Sequence, residues 1–168
     1  MAKTFVAEID HTMHADTRIA RMVVVDIDHT LADAFWRDPL LGKWEEYYAE
    51  SMSDQPIAHV AAIVRAMSHE GREIVAVTAR PESTRALTMR WMVQHRIPID
   101  AILMRANDDY RSSVEVKRDL VVNLGLTNIE FAIEDRDDCV AAYRQLGLSV
   151  VQVFHRSREA TSDGKDGC

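Results

Sequence analysis

The chain has 168 residues, 47% of them apolar, and a formal net charge of −7 at pH 7. That length and apolar content fit one domain with a real core and exclude a disordered chain. No apolar run is long enough to cross a bilayer, and the acidic balance excludes broad binding along nucleic-acid backbones, though not the grip of a few arginines on one phosphate or one strand end.

Residues Met1 to Arg21 carry no clear element and lack the apolar region of a secretory signal. Within them Ile9-Asp10-His11-Thr12 echoes Ile27-Asp28-His29-Thr30. Glu8 stands where Asp26 stands, however, and no long apolar run precedes it, so the copy reads as an extra strand or an oligomer contact. Val23-Val24-Val25 then reads as a buried strand, because β-branched residues suit a pleated surface covered on both faces. It ends in Asp26 and Asp28, which alternate residues of a strand would lean toward one site.

Residues Ala32 to Gln55 form a polar and aromatic insertion broken by Pro39 and Gly42, with a short helix expected over Trp44–Met52. Ile57–His69 shows apolar residues at helical spacing and stops at Gly71. Glu73–Val77 reads as a second strand. Pro81 suits the first turn of a helix running to about His95, with Leu87, Trp91 and Met92 inward. A third strand over Ala101–Met104, a helix over Ser113–Leu124 closed by Gly125, a fourth strand over Glu130–Ile133, a helix over Asp137–Leu146 closed by Gly147 and a fifth strand over Ser149–Phe154 follow. Arg156–Cys168 reads as a mobile tail. Cys139 sits on the inner face of its helix and Cys168 is the last residue, so neither a disulfide framework nor a zinc site is implied, and a cytoplasmic setting is the simplest expectation.

Strands alternating with helices predict a doubly wound, mainly parallel five-stranded α/β sheet with helices on both faces. The expected plan is a single domain: an extension over 1–21, a core over 22–155, a small cap insertion over 32–55 and a tail over 156–168. Ligands of such sheets bind beyond the C-terminal strand ends. Asp26 and Asp28, Thr78, and Glu134 with Asp135 all fall at those ends, and Lys117 comes from the helix after the third strand.

That set suits a phosphate monoester. Mg²⁺ held by Asp26, the main-chain carbonyl of Asp28, and Asp135 would neutralise the dianion, with Glu134 or Asp138 as an outer or alternative ligand. Asp26 would be the nucleophile and Asp28 the acid and then the base. Thr78 and Lys117 would donate to the phosphoryl oxygens. Taken alone, Thr78 also fits a helix N-cap, and Asp137 reads as the cap of its helix.

In order, Asp26-Ile27-Asp28-x-Thr30-Leu31, Thr78, Lys117 and Glu134-Asp135 match the four motifs of the haloacid dehalogenase superfamily, from roughly Met22 to Phe154. Within it the chain resembles most the 3′-phosphatase domain of phage polynucleotide kinase, through Thr78-Ala79-Arg80, Met89-Arg90-Trp91, Met104-Arg105, Val116-Lys117 and Ala132-Ile133-Glu134-Asp135-Arg136. The resemblance implies the Rossmann-like fold of that superfamily, Mg²⁺ as cofactor, and a phosphorylated nucleotide or nucleic-acid 3′ end as substrate. It also implies substrate contacts from Thr30, Arg37, Ala79 and Arg80. A nucleotidase or small-metabolite phosphatase of the same superfamily is the alternative, and a non-catalytic phosphate-binding module the third reading. No phosphate-cradling loop of the kinase type occurs in the chain.

Three positions depart from that pattern. His29 replaces the usual glycine, Glu134 stands for the first of two aspartates, and Ser113 stands where the family has an aspartate that steadies the lysine. Glu115 cannot substitute for it, since i and i+2 do not face each other on a helix, which leaves Glu134 to position Lys117. The short insertion leaves the site open to a polymer end or to cover by a second subunit. Its Trp36, Trp44, Tyr47 and Tyr48 read as packing or oligomer contacts ahead of base stacking.

Overall fold

The computed structural model describes residues 21–155. The echo motif, the expected N-terminal oligomer contact and the polar tail lie outside the described residues.

Strand β1 (Met22–Val25) is buried along its whole length. The chain then turns through the motif into β2 (Ala32–Asp33), a 3₁₀ turn over Phe35–Leu40 and helix α1 (Trp44–Ala49). A second 3₁₀ turn over Glu50–Ser53 leads to β3 (Gln55–Pro56), antiparallel to β2 in the register Ala32↔Pro56. The insertion is therefore closed at its base by a two-stranded pair. The helix expected over Trp44–Met52 is α-helical only to Ala49 and then tightens into the 3₁₀ turn.

Helix α2 (Ala58–His69) buries Val60, Ala61 and Val64, the face its apolar spacing marks. Strand β4 (Glu73–Pro81) runs four residues past the expected end, and Pro81 pairs with Arg105 rather than opening a helix. Helix α3 (Arg85–Gln94) follows a 3₁₀ turn over Glu82–Thr84 and buries Thr88, Trp91 and Met92, whereas Leu87 is only partly covered. Strand β5 (Ala101–Arg105) precedes helix α4 (Ser113–Leu124), which starts with a reciprocal capping box between Ser112 and Glu115. Gly125, at φ +82°, ends it in a conformation that side-chain-bearing residues rarely adopt. Strand β6 (Ile129–Glu134), helix α5 (Asp137–Gln145) and strand β7 (Val150–Gln152) complete the fold.

The five-stranded sheet has the order β5-β4-β1-β6-β7, and every pairing in it is parallel. Alternate residues of β1 feed two cores. Val23 and Val25 pack with Val60 and Val64 of α2 and Trp91 and Met92 of α3. Val24 packs on the opposite face with Val121 of α4 and Tyr143 of α5. Such double coverage explains the unbroken valine run, since burying each side chain contributes about 1.5–3 kcal/mol. From β1 the chain winds outward to β4 and β5, then returns to β6 and β7 on the other side. The direction switches at β1, which opens a crevice beyond its C-terminal end. Among the described residues no helix is long and apolar enough to cross a membrane.

Candidate active site

Asp26 follows β1 directly, and its amide continues the parallel ladder to the Ile133 carbonyl at 3.0 Å. The amides of Leu31 and Ala32 then both bond to the Ile27 carbonyl, at 2.9 and 2.8 Å, folding the motif into a tight turn. His29 takes φ +64° in that turn, the left-handed region where glycine is favoured. Its ring lies 2.9 Å from Asp38 through Nε2 and packs on Phe35 at 4.3 Å between centroids, so it faces the insertion.

Helix α4 carries Lys117 into this rim. Its Nζ lies 2.6 Å from Asp26 Oδ1 and donates to Glu134 Oε2 at 2.8 Å. All three side chains are buried. Ser113, one helical turn earlier, instead lies near Arg105, and Glu115 is spent in the capping box, so Glu134 and Asp26 hold the lysine. Asp135 accepts the Thr30 hydroxyl at 2.9 Å. Oxygens of Asp26, Glu134 and Asp135 lie within 4.8 Å of one another. Asp138 does not join them: it pairs with Arg136 at 2.5 Å and accepts its neighbour Cys139's amide. Nor does Asp137 cap α5, since it is the first helical residue and accepts from Gln152. Thr78 lies inside β4, so it caps no helix, and its hydroxyl accepts the Arg80 amide at 3.2 Å.

Burial and the nearby Glu134 carboxylate raise the Asp26 carboxyl to about 6, despite Lys117. Burial likewise raises Glu134, and burial with the Asp26 charge raises Asp135. Burial alone would lower Lys117, but the carboxylates of Asp26 and Glu134 outweigh it and hold the ammonium form. Three crowded acids with one lysine between them form a hard oxygen donor set that suits Mg²⁺.

Asp28 has a different environment. Arg80 donates to it at 2.9 Å through Nε and 2.7 Å through Nη2, and Arg37 donates through Nη2. Burial works against its charge, yet the two guanidinium groups hold the carboxyl well below the usual carboxylate range. Behind them stands Asp54, fully buried, which accepts Arg37 Nη2 at 2.7 Å and the Trp36 indole at 2.9 Å, and lies 3.6 Å from Arg80. Arg37 also lies 4.0 Å over the Tyr47 ring. Sequence reading missed Asp54. Its signal is faint: one aspartate among several in a segment without periodicity. The arginines expected to meet substrate are here engaged by Asp28 and Asp54, and Thr30 is engaged by Asp135. Trp36 and Tyr47 serve as packing and hydrogen-bonding parts of the insertion.

Above these groups opens a cleft of about 630 Å³. Asp26, Asp28, Thr78, Ala79, Arg80 and Lys117 line its floor, and Trp44 and Tyr48 of α1 form part of a wall. An acid pair at the switch point, a buried lysine and an oxygen donor cluster under an open cleft define the class: a haloacid dehalogenase-type phosphoric monoester hydrolase. Residues 20–157 match the family model of the polynucleotide kinase PNKP phosphatase domain, and the chain belongs to that family.

Among solved structures, a chain of the Pnkp1/Rnl/Hen1 complex is 27% identical with a TM-score of 0.72, over 82% of this chain and 47% of that one. A chain of the Pnkp1/Rnl/Hen1 RNA repair complex matches with the same identity and score, over 82% and 43%. The present chain thus spans less than half the length of either. A protein from Clostridium acetobutylicum, described as a predicted phosphatase, shares the fold at 16% identity and a TM-score of 0.57, over 79% and 84% of the two chains. No curated protein matches the sequence.

Proposed function

We propose that this domain is a Mg²⁺-dependent phosphomonoesterase that works through an aspartyl-phosphate at Asp26 and removes 3′-phosphates from nucleic-acid ends. The observation that carries the reading is the position of Asp26 at the end of the central strand, 2.6 Å from Lys117 and clustered with Glu134 and Asp135. Asp26, Asp135 and the Asp28 carbonyl would hold the metal, with Glu134 beside them. When bound, Mg²⁺ supplies positive charge that offsets the phosphate dianion.

An Asp26 carboxylate oxygen attacks phosphorus, the ester P–O bond breaks, and the leaving oxygen takes its proton from Asp28. A water then attacks the phospho-aspartate, Asp28 takes its proton, and the acyl phosphate P–O bond breaks to restore Asp26 and release phosphate. Lys117 and Thr78 steady the phosphoryl oxygens. The two guanidinium groups keep Asp28 ionised, the form that the second step needs, while weakening it as a proton acceptor. Its turn as the acid requires that an arriving phosphate draw the guanidiniums toward itself, an exchange of one charge-assisted pairing for another. In that exchange Arg37 and Arg80 become the substrate contacts.

The open cleft favours a polymer end over a small metabolite, and the likeness to chains of an RNA repair complex supports nucleic acid, with repair proteins as partners. The test is phosphate release from a 3′-phosphorylated oligonucleotide, a 3′-mononucleotide and a 5′-mononucleotide, with Mg²⁺ and with chelator. We expect the oligonucleotide to be preferred, chelator to stop turnover, and Asp26→Asn to lower kcat by about 10³-fold or more. Preference for a mononucleotide would make the enzyme a nucleotidase. Wild-type turnover by Asp26→Asn would remove the covalent mechanism.

A further inference from the structure

The cleft does not end at the phosphate-binding floor. It is lined as well by Trp44 of α1 and by Tyr110 of the loop joining β5 to α4. We infer that Tyr110 and Trp44 form an aromatic clamp for the terminal nucleobase of a single-stranded 3′ end, an inference that rests on the 3′-phosphatase reading of the floor.

Tyr110 is 92% exposed and so contributes nothing to the core. Its backbone is nevertheless pinned on both sides. Arg105 donates to the carbonyls of Asp109 and Arg111, at 2.9 and 2.6 Å, and anchors the loop to the Ala79 carbonyl at 2.9 Å. An exposed aromatic ring on a stapled loop presents a flat surface with its backbone already ordered, which lowers the entropic cost of binding. Trp44 is 54% exposed and is backed by Tyr48, whose ring stacks at 6.1 Å with a tilt of 25°. The Trp44 ring is therefore also propped.

Charge agrees with aromaticity. Among the described residues Arg105 bonds only to carbonyls and a hydroxyl and pairs with no carboxylate, so its positive charge remains available to a phosphodiester in the cleft it lines. A cation beside paired aromatic faces is the physical arrangement that holds single-stranded nucleic acid without reading its sequence.

The experiment compares two substrates: a 3′-phosphorylated single-stranded oligothymidylate, and the same strand with a tetrahydrofuran abasic residue carrying the 3′-phosphate. Wild-type enzyme should prefer the base-bearing end by about tenfold in kcat/KM, the effect sitting in KM, since one stacked base is worth on that order. Tyr110→Ala and Trp44→Ala should collapse the ratio toward one, and Tyr110→Phe should restore it. Equal wild-type rates on both ends, or a full preference retained by Tyr110→Ala, would overturn the clamp while leaving the 3′-phosphatase reading intact. Turnover of a 5′-mononucleotide with none of either oligonucleotide would overturn both.

Discussion

Arg80 grips Asp28 with a two-pronged contact, Nε to Oδ2 at 2.9 Å and Nη2 to Oδ1 at 2.7 Å. The pair joins the tip of β4 to the turn after β1, and Asp54 backs it from the insertion. Three separate segments thereby fix where the second motif aspartate points. Arg80→Ala would leave Asp28 and Asp54 short of a buried partner. The expected cost is about 3 kcal/mol, read from urea unfolding. Arg80→Lys should recover part of the stability but not the fork, because an ammonium cannot make two parallel bonds. A loss below half a kcal/mol, roughly the surface-pair value, would show that the contact is not structural.

Thr30 bonds to Asp135, one of the three clustered acids, at 2.9 Å. It thus orients a proposed metal ligand from the outside. Thr30→Val keeps the shape and removes the hydroxyl. The Mg²⁺ concentration for half-maximal activity should rise by about 10-fold, while saturating Mg²⁺ restores most of kcat. A Mg²⁺ titration checks this. An unchanged midpoint with a raised substrate KM would return Thr30 to the substrate-contact role the sequence suggested.

Asp26 supplies a pH signature. Its carboxyl is raised from 3.8 to about 6, first by burial and then by Glu134. A folded state that binds the proton more tightly than the unfolded chain gains stability from it, fully below pH 3.8, and loses that gain as pH rises through about 6. Asn cannot ionise. With chelator present, the melting temperature of Asp26→Asn should therefore gain on wild type as pH climbs through this window. Added Mg²⁺ should erase the trend by stabilising the carboxylate. A difference flat in pH would refute the raised carboxyl.

His29 separates backbone from side chain. At φ +64° any Cβ is disfavoured, whereas glycine is not. His29→Ala loses the Asp38 and Phe35 contacts and keeps the strain. His29→Gly loses the same contacts and relieves it. Thermal unfolding should find the glycine variant more stable than the alanine variant by about 1 kcal/mol. Equal stability would mean that the turn relaxes around either residue.

Much of this was legible in the chain. The valine run, the helical spacing over Ile57–His69 and the stop signals at Gly71, Gly125 and Gly147 fix a parallel α/β sheet, because burial on two faces and helix termination leave marks within a few residues. The errors fall where two segments compete. Pro81 suits a helix start, but β4 stays extended to pair with Arg105. Asp137 reads as a cap, but it is the first helical residue and its carboxylate accepts from Gln152. The pair closing the insertion leaves no mark in the sequence, because strands of two residues show no alternation.

Within the site, the order of Asp26, Asp28, Thr78, Lys117 and Asp135, and the place of Asp26, Asp28 and Asp135 just beyond strand ends, were set locally, by periodicity and by the turn after β1. The tertiary structure alone decided how they share charge. It put Lys117 between Asp26 and Glu134, set Asp28 between two guanidiniums backed by Asp54, turned Asp138 outward to Arg136, and brought Tyr110 and Trp44 to the lining of one cleft. Local rules reach a few residues along the chain, whereas a carboxylate's partners and protonation depend on whichever distant segments folding brings within a few ångströms in a buried, low-dielectric place.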